Sequence, residues 1–137
     1  TEITLGGESI TLIGVNDPSF QINYLSGDSA TVIDTKLKEL HTDDGFTILL
    51  SHRPELFDTY VQNGINLVLS GHAHGGQFRL PFVGGLVAPH QGLFPEYDAG
   101  LHTAENTNML VSRGAGNSIF PFRINNRPEV ILIELCV

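Results

Sequence analysis

Cysteine is almost missing from this chain, and the one present, Cys136, stands beside the C-terminus. No intrachain disulfide can form, so packing must hold the fold together. The apolar neighbours of Cys136 favour a packed or terminal thiol over a reactive one. Basic side chains are also scarce: 7 Lys and Arg face 15 Asp and Glu, a net charge of −8. Generic attraction to a polyanion is thereby excluded, and nucleic acid is not an expected partner. No stretch approaches the roughly 20 apolar residues of a membrane span, and no signal-peptide pattern occurs. The only methionine is Met109, and the chain opens at Thr1. The expectation is a portion of a longer protein, with any targeting segment upstream, so location stays open between the cytoplasm and the cell envelope.

What is present describes one compact domain. A length of 137 residues, 41% of them hydrophobic and 16% charged, suffices for one real core and not comfortably for two. There is no internal repeat or linker. Two β-rich runs, Glu2–Leu5 and Ser9–Val15, flank a glycine turn and predict a hairpin. Asn16-Asp17-Pro18 then reads as an Asx-type turn. Residues 19–31 carry no assignable pattern. A short helix is expected over Lys36–Leu40, capped by Asp34 or Thr35 and stopped by Asp43-Asp44-Gly45. A strand over 46–51 follows, then a helix from Pro54 to Asn63 with Gly64 as its C-cap, then a strand over 66–70. This β-α-β order implies a right-handed crossover and parallel strands. Gln77–Leu80 predicts a short strand, Pro81–Pro95 a loop, Met109–Ser112 a strand, and Glu129–Leu135 a final strand.

The chemistry gathers at two strand ends. Thr47-Ile48-Leu49-Leu50 terminates in Ser51-His52-Arg53-Pro54, and Leu67-Val68-Leu69 terminates in Ser70-Gly71-His72-Ala73-His74-Gly75-Gly76-Gln77. Buried strands that deliver imidazoles to surface loops are a metal-site layout, and ligands of such sheets bind outside the carboxyl ends of the strands. His72 and His74 can serve one ion or two neighbouring ones. Surface or hydrogen-bonded loop histidines are the plainer alternative.

These motifs resemble the last two metal motifs of the calcineurin-like metallophosphoesterases. The likeness extends to Gly14-Val15-Asn16-Asp17-Pro18 upstream, and to Ser112-Arg113-Gly114-Ala115-Gly116 and Arg127-Pro128-Glu129 downstream. It looks closest to a bacterial branch of small, often envelope-linked phosphohydrolases. The resemblance implies an α/β fold, the C-terminal half of an α/β/β/α sandwich with a mixed sheet and flanking helices. It implies hydrolysis of phosphomonoesters or phosphodiesters through two divalent metals (Mn, Fe or Zn) and a metal-bound hydroxide, with His52 and His72 on one metal and His74 on the other.

Three family motifs are lacking: Asp-x-His, Gly-Asp-x-x-Asp with the bridging carboxylate, and Gly-Asn-His-Asp/Glu with the general-acid histidine. Gly27-Asp28-Ser29 and Gly116-Asn117-Ser118 are near misses. No residue is therefore assigned as catalytic. The isolated chain is expected to hold metal weakly or in part, and to be inactive without an N-terminal half. Arg113, Arg53 and Arg79 are candidate phosphate contacts, each weighed against an exposed or carboxylate-paired arginine. His90 in the Pro81–Pro95 loop and Asn16 at a strand end are further substrate-side candidates. The apolar wall residues Phe78, Phe82, Val83 and Leu86 would suit a lipid-linked or membrane-borne phosphate, and suit a core as well. Self-association through the surface left by the absent half is expected. Two other readings stay open: a non-catalytic metal-binding or interaction module, and a mononuclear zinc hydrolase.

Overall fold

A computed structural model describes residues 1–20, 28–40, 45–116 and 122–136. Its centre is a six-stranded sheet built from β1 (Glu2–Leu5), β2 (Glu8–Gly14), β3 (Phe46–Leu50), β4 (Leu67–Ser70), β9 (Gly100–Ala104) and β10 (Thr107–Val111), in the order β1-β2-β3-β4-β10-β9. The four inner strands run parallel, and each outer strand pairs antiparallel with its neighbour. The first hairpin and the β3-to-β4 crossover stand as expected. The fold is mixed α/β and agrees with half of a calcineurin-like phosphoesterase sandwich.

Helices cover one face of this sheet. α1 (Ser29–Leu40) begins earlier than the expected cap at Asp34. Asp28 is the effective cap, accepting a hydrogen bond from the Thr31 amide at 3.0 Å, and Ile33 and Leu37, one turn apart, are both buried. That i, i+4 pair requires helix on both sides of Asp34. The expected stop at Asp43-Asp44 lies outside the described residues. α2 (Phe57–Gln62) is entered through a 3-10 turn over Pro54–Leu56, and Gly64 follows it at φ 67°. Ile13, Leu49, Val68 and Met109 occupy facing register positions on four successive strands. All four are buried with Ile33, Leu37, Phe57 and Tyr60, and this row against two helices is the core.

The opposite face is apolar and half uncovered. Leu50, Leu69, Leu110 and Leu101 form another register row, in which Leu50 is 44% and Leu101 64% exposed. Two-residue ladders complete the chain beyond β4: β5 (Arg79–Leu80) with β6 (Gly84–Gly85), and β7 (Val87–Ala88) with β8 (Gly92–Leu93). The expected strand over Glu129–Leu135 is absent. Those residues belong to no ladder, and Val130 and Leu132 stand 94% and 93% exposed. Alternation makes a segment fit for a strand, but only a partner edge makes it one. Among the described residues, no helix is long and apolar enough to cross a membrane.

Candidate metal centre

The four parallel strands end at one edge of the sheet, and there the chain places its polar residues. Asn16 and Asp17 follow β2, His52 and Arg53 follow β3, His72 and His74 follow β4, and Arg113 follows β10. The His52 turn is fixed from below. The Tyr60 hydroxyl donates to the Arg53 carbonyl at 2.6 Å and, with its single proton so used, accepts from Ser51 Oγ at 2.7 Å. Burial, the dominant cause, raises the Tyr60 pKa well above its usual value.

Arg53 is the buried ion of the site, 3% exposed. Its Nε and Nη2 donate to the two Asp17 carboxylate oxygens at 2.8 and 2.9 Å, and Nη1 donates to Glu55 Oε1 at 3.1 Å. Ser19 Oγ is a further acceptor. The Arg53 guanidinium holds the Asp17 carboxyl well below the usual carboxylate range. Asp17 also accepts from the Ser19 amide at 2.8 Å, so it makes the turn and binds the arginine together.

Three imidazoles line up above this pair. His72 Nδ1 lies 2.8 Å from His52 Nε2, and His72 Nε2 lies 2.9 Å from His90 Nδ1. Burial first, then the neighbouring His52 and Arg53 charges, depress the His72 pKa to about 4. At neutral pH the ring is uncharged and free to act as a metal donor. His72 and His90 sit at φ 64° and 62°, His74 at 48° and Gln77 at 56°. Left-handed backbone at non-glycine residues costs energy and recurs both in tight turns and at functional sites.

The cleft in front, about 500 Å³, is lined by Asn16, Asp17, His52, Arg53, His72 and His90 with Phe20 and others. His74, Arg79 and Arg113 are not among its lining residues. The His74 carbonyl accepts from Asn126 Nδ2 at 2.6 Å, and burial, then Arg123 and His52, lower the pKa of its ring. All three candidate arginines have carboxylate partners: Arg53 as above, Arg79 with Asp98 at 2.9 Å, and Arg113 through Nε with Glu129 at 2.8 Å.

Glu55 is the residue that the sequence reading missed. Its carboxylate oxygen lies 4.0 Å from His90 Nδ1, and its second oxygen, Oε2, is buried without a hydrogen-bond partner. Its position directly after Ser-His-Arg-Pro was the available signal. The donors suit a borderline divalent ion. Imidazole nitrogens sharing a tetrahedral metal stand about 3.3 Å apart, so the 2.8 and 2.9 Å contacts need to open by only about half an ångström. Glu55 is not among the cleft's lining residues, but one of its carboxylate oxygens and one ring nitrogen each of His72 and His90 lie within 4.8 Å of one another.

A six-stranded mixed sheet with paired histidine loops at the carboxyl ends of its parallel strands is the arrangement that the metallophosphoesterase motifs of the sequence imply. The chain belongs to the metallophosphoesterase family. YkuE of Bacillus subtilis, an uncharacterized metallophosphoesterase, is 37% identical over 94 residues, covering 69% of this chain and 32% of YkuE. The phosphodiesterase YaeI of Escherichia coli is 38% identical over 88 residues, covering 64% of this chain and 32% of YaeI. A transmembrane protein with metallophosphoesterase domain from Bos taurus is 35% identical over 130 residues, covering 92% of this chain and 27% of that protein. The chain thus spans about a third or less of the length of these curated relatives. No protein-family model matches the chain, and no solved structure matches it.

Proposed function

We propose that this chain carries part of the dinuclear metal centre of a phosphoester hydrolase and is inactive alone. The observation that supports this most is the His52–His72 pair, brought from two strand ends to 2.8 Å. In the complete protein His52 and His72 would hold one ion and His74 the other, with the bridging carboxylate and remaining ligands supplied from outside this chain. Divalent ions held there neutralise phosphoryl oxygens and lower the pKa of water. The chain's own contribution is to present imidazoles at fixed positions and to keep Arg53 and Asp17 locked beneath them. Among the described residues Glu55 is the one carboxylate grouped with the site imidazoles, and Asp17 is engaged by Arg53.

The substrate is a phosphomonoester or phosphodiester. A lipid-linked one is favoured by Phe20, which lines the cleft and is exposed, and by Phe82, Val83, Leu93 and Phe94, which are exposed in the segment after β4. The uncovered leucine face and the unpaired 129–136 segment are where the missing half would pack. Turnover of a chromogenic phosphodiester with added manganese tests this reading. The chain alone should be silent, and joining it to the rest of its parent protein should give hydrolysis. Robust turnover by the chain alone would overturn the partial-centre reading.

A further inference from the structure

The two nitrogens of His72 face different partners, and only one of these directions belongs to the family's ligand set. Nδ1 faces His52; Nε2 faces His90. On the His90 side stands Glu55, and one ligand atom from each of Glu55, His72 and His90 lies within 4.8 Å of the others. The three come from separate pieces of chain: the 3-10 turn after β3, the loop after β4, and the connection between β7 and β8. Two of them, His72 and His90, are held in left-handed backbone.

We infer that Glu55, His72 and His90 form a cation site of their own, taking one borderline divalent ion on His72 Nε2, His90 Nδ1 and a Glu55 oxygen. His52 then lies behind the site as the acceptor for His72 Nδ1–H. A ligating imidazole commonly gives its other N–H to a fixed acceptor, which sets its tautomer and orientation, and the 2.8 Å contact already does this. Charge also favours a cation. Arg53 contributes +1, Asp17 −1 and Glu55 −1, so these three side chains net −1. Glu55 Oε1, 4.0 Å from His90 Nδ1, also accepts from Arg53 Nη1, and Oε2 is buried without a partner, so the carboxylate has acceptor capacity left for an ion. Two imidazoles and one carboxylate form a donor set well suited to zinc, with a fourth position open.

The site shares His72 with the dinuclear centre proposed above and uses Glu55 and His90 in place of His52 and His74; with His72 Nδ1–H given to His52, it fills instead of the His52–His72 ion and not beside it. Equilibrium dialysis of the whole 137-residue chain against zinc alone tests it, with circular dichroism to verify that each variant is folded. One zinc per chain is expected. His90→Ala should weaken binding at least tenfold; its ring is half exposed, so folding should survive. Glu55→Gln should weaken binding similarly, and His74→Ala should leave it unchanged. Undiminished affinity in His90→Ala would overturn the inference, as would absence of stoichiometric zinc on the unaltered chain. Loss in His74→Ala with none in His90→Ala would return the ion to the family's ligand set. That outcome defeats this site and leaves the hydrolase proposal standing.

Discussion

At the scale of single residues, the site is a buried ion pair carrying a row of imidazole rings. Arg53 is almost wholly enclosed, and its enclosure is tolerable because both Asp17 oxygens receive it. Removing one partner of a buried pair leaves the other charge uncompensated. Asp17→Asn should therefore destabilise the chain by about 3 kcal/mol in urea unfolding, and a change within error would show that Glu55 and Ser19 suffice. His72 sets an acid limit. Its pKa falls from 6.5 unfolded to about 4 folded, so unfolding takes up a proton between those values. Stability is fully present above pH 6.5 and declines as pH drops toward 4. His74, lowered in the same sense, adds to the decline, whereas Asp17 enters only below its ordinary 3.8. In chelator, thermal melts of His72→Gln should show a shallower loss across that window than the parent chain. Parallel curves would contradict the assignment. Glu55 escaped sequence reading for a related reason: an acid opening a helix is ordinarily explained by the helix alone.

The elements explain why the histidine loop carries glycines. Gly76 sits at φ 72°, with the Gly85 backbone packed against it; a Cβ on Gly85 would come within 2.7 Å of Gly76 Cα. Two glycines facing each other let the His74 loop touch the β5–β6 ladder, which the Gly-Gly pairs at 75–76 and 84–85 foreshadow in the sequence. Gly76→Ala combines a left-handed backbone penalty with backbone overlap and should cost roughly 3 kcal/mol. A melt unchanged from the parent would mean that this approach is not fixed. The strand-helix-strand core was legible because periodicity, Pro54 and Gly64 all agreed. The β9–β10 hairpin was only half legible. Its turn places Glu105 at φ 51°, and Glu-Asn gives no hairpin signal comparable to Asn-Gly. The Glu129–Leu135 strand was misread because its pattern is local and strand pairing is not.

The whole molecule is one-sided. Two helices seal one face of the sheet, while Leu50 and Leu101 on the other, with Val130 and Leu132 beyond it, remain in solvent. Exposed apolar side chains on an uncovered sheet face promote association. Sedimentation velocity over a rising concentration series should show mass increasing beyond the monomer, and a single monomeric species throughout would contradict it. The family could be read from two short motifs because they lie at the ends of parallel strands, where folding must bring them together. The His90 and Glu55 contacts depend on loop conformation, so the sequence offered His90 only as a wall-loop candidate and Glu55 only through its place after Ser-His-Arg-Pro. The most direct test of the account is manganese-dependent hydrolysis of a chromogenic phosphodiester by the chain joined to the rest of its parent protein, beside the same protein carrying His72→Ala. Turnover that is abolished by chelator and falls at least about a thousandfold in His72→Ala, on the scale of losing a principal catalytic group, is the predicted result. Hydrolysis that survives both treatments would contradict a metal centre built on His72.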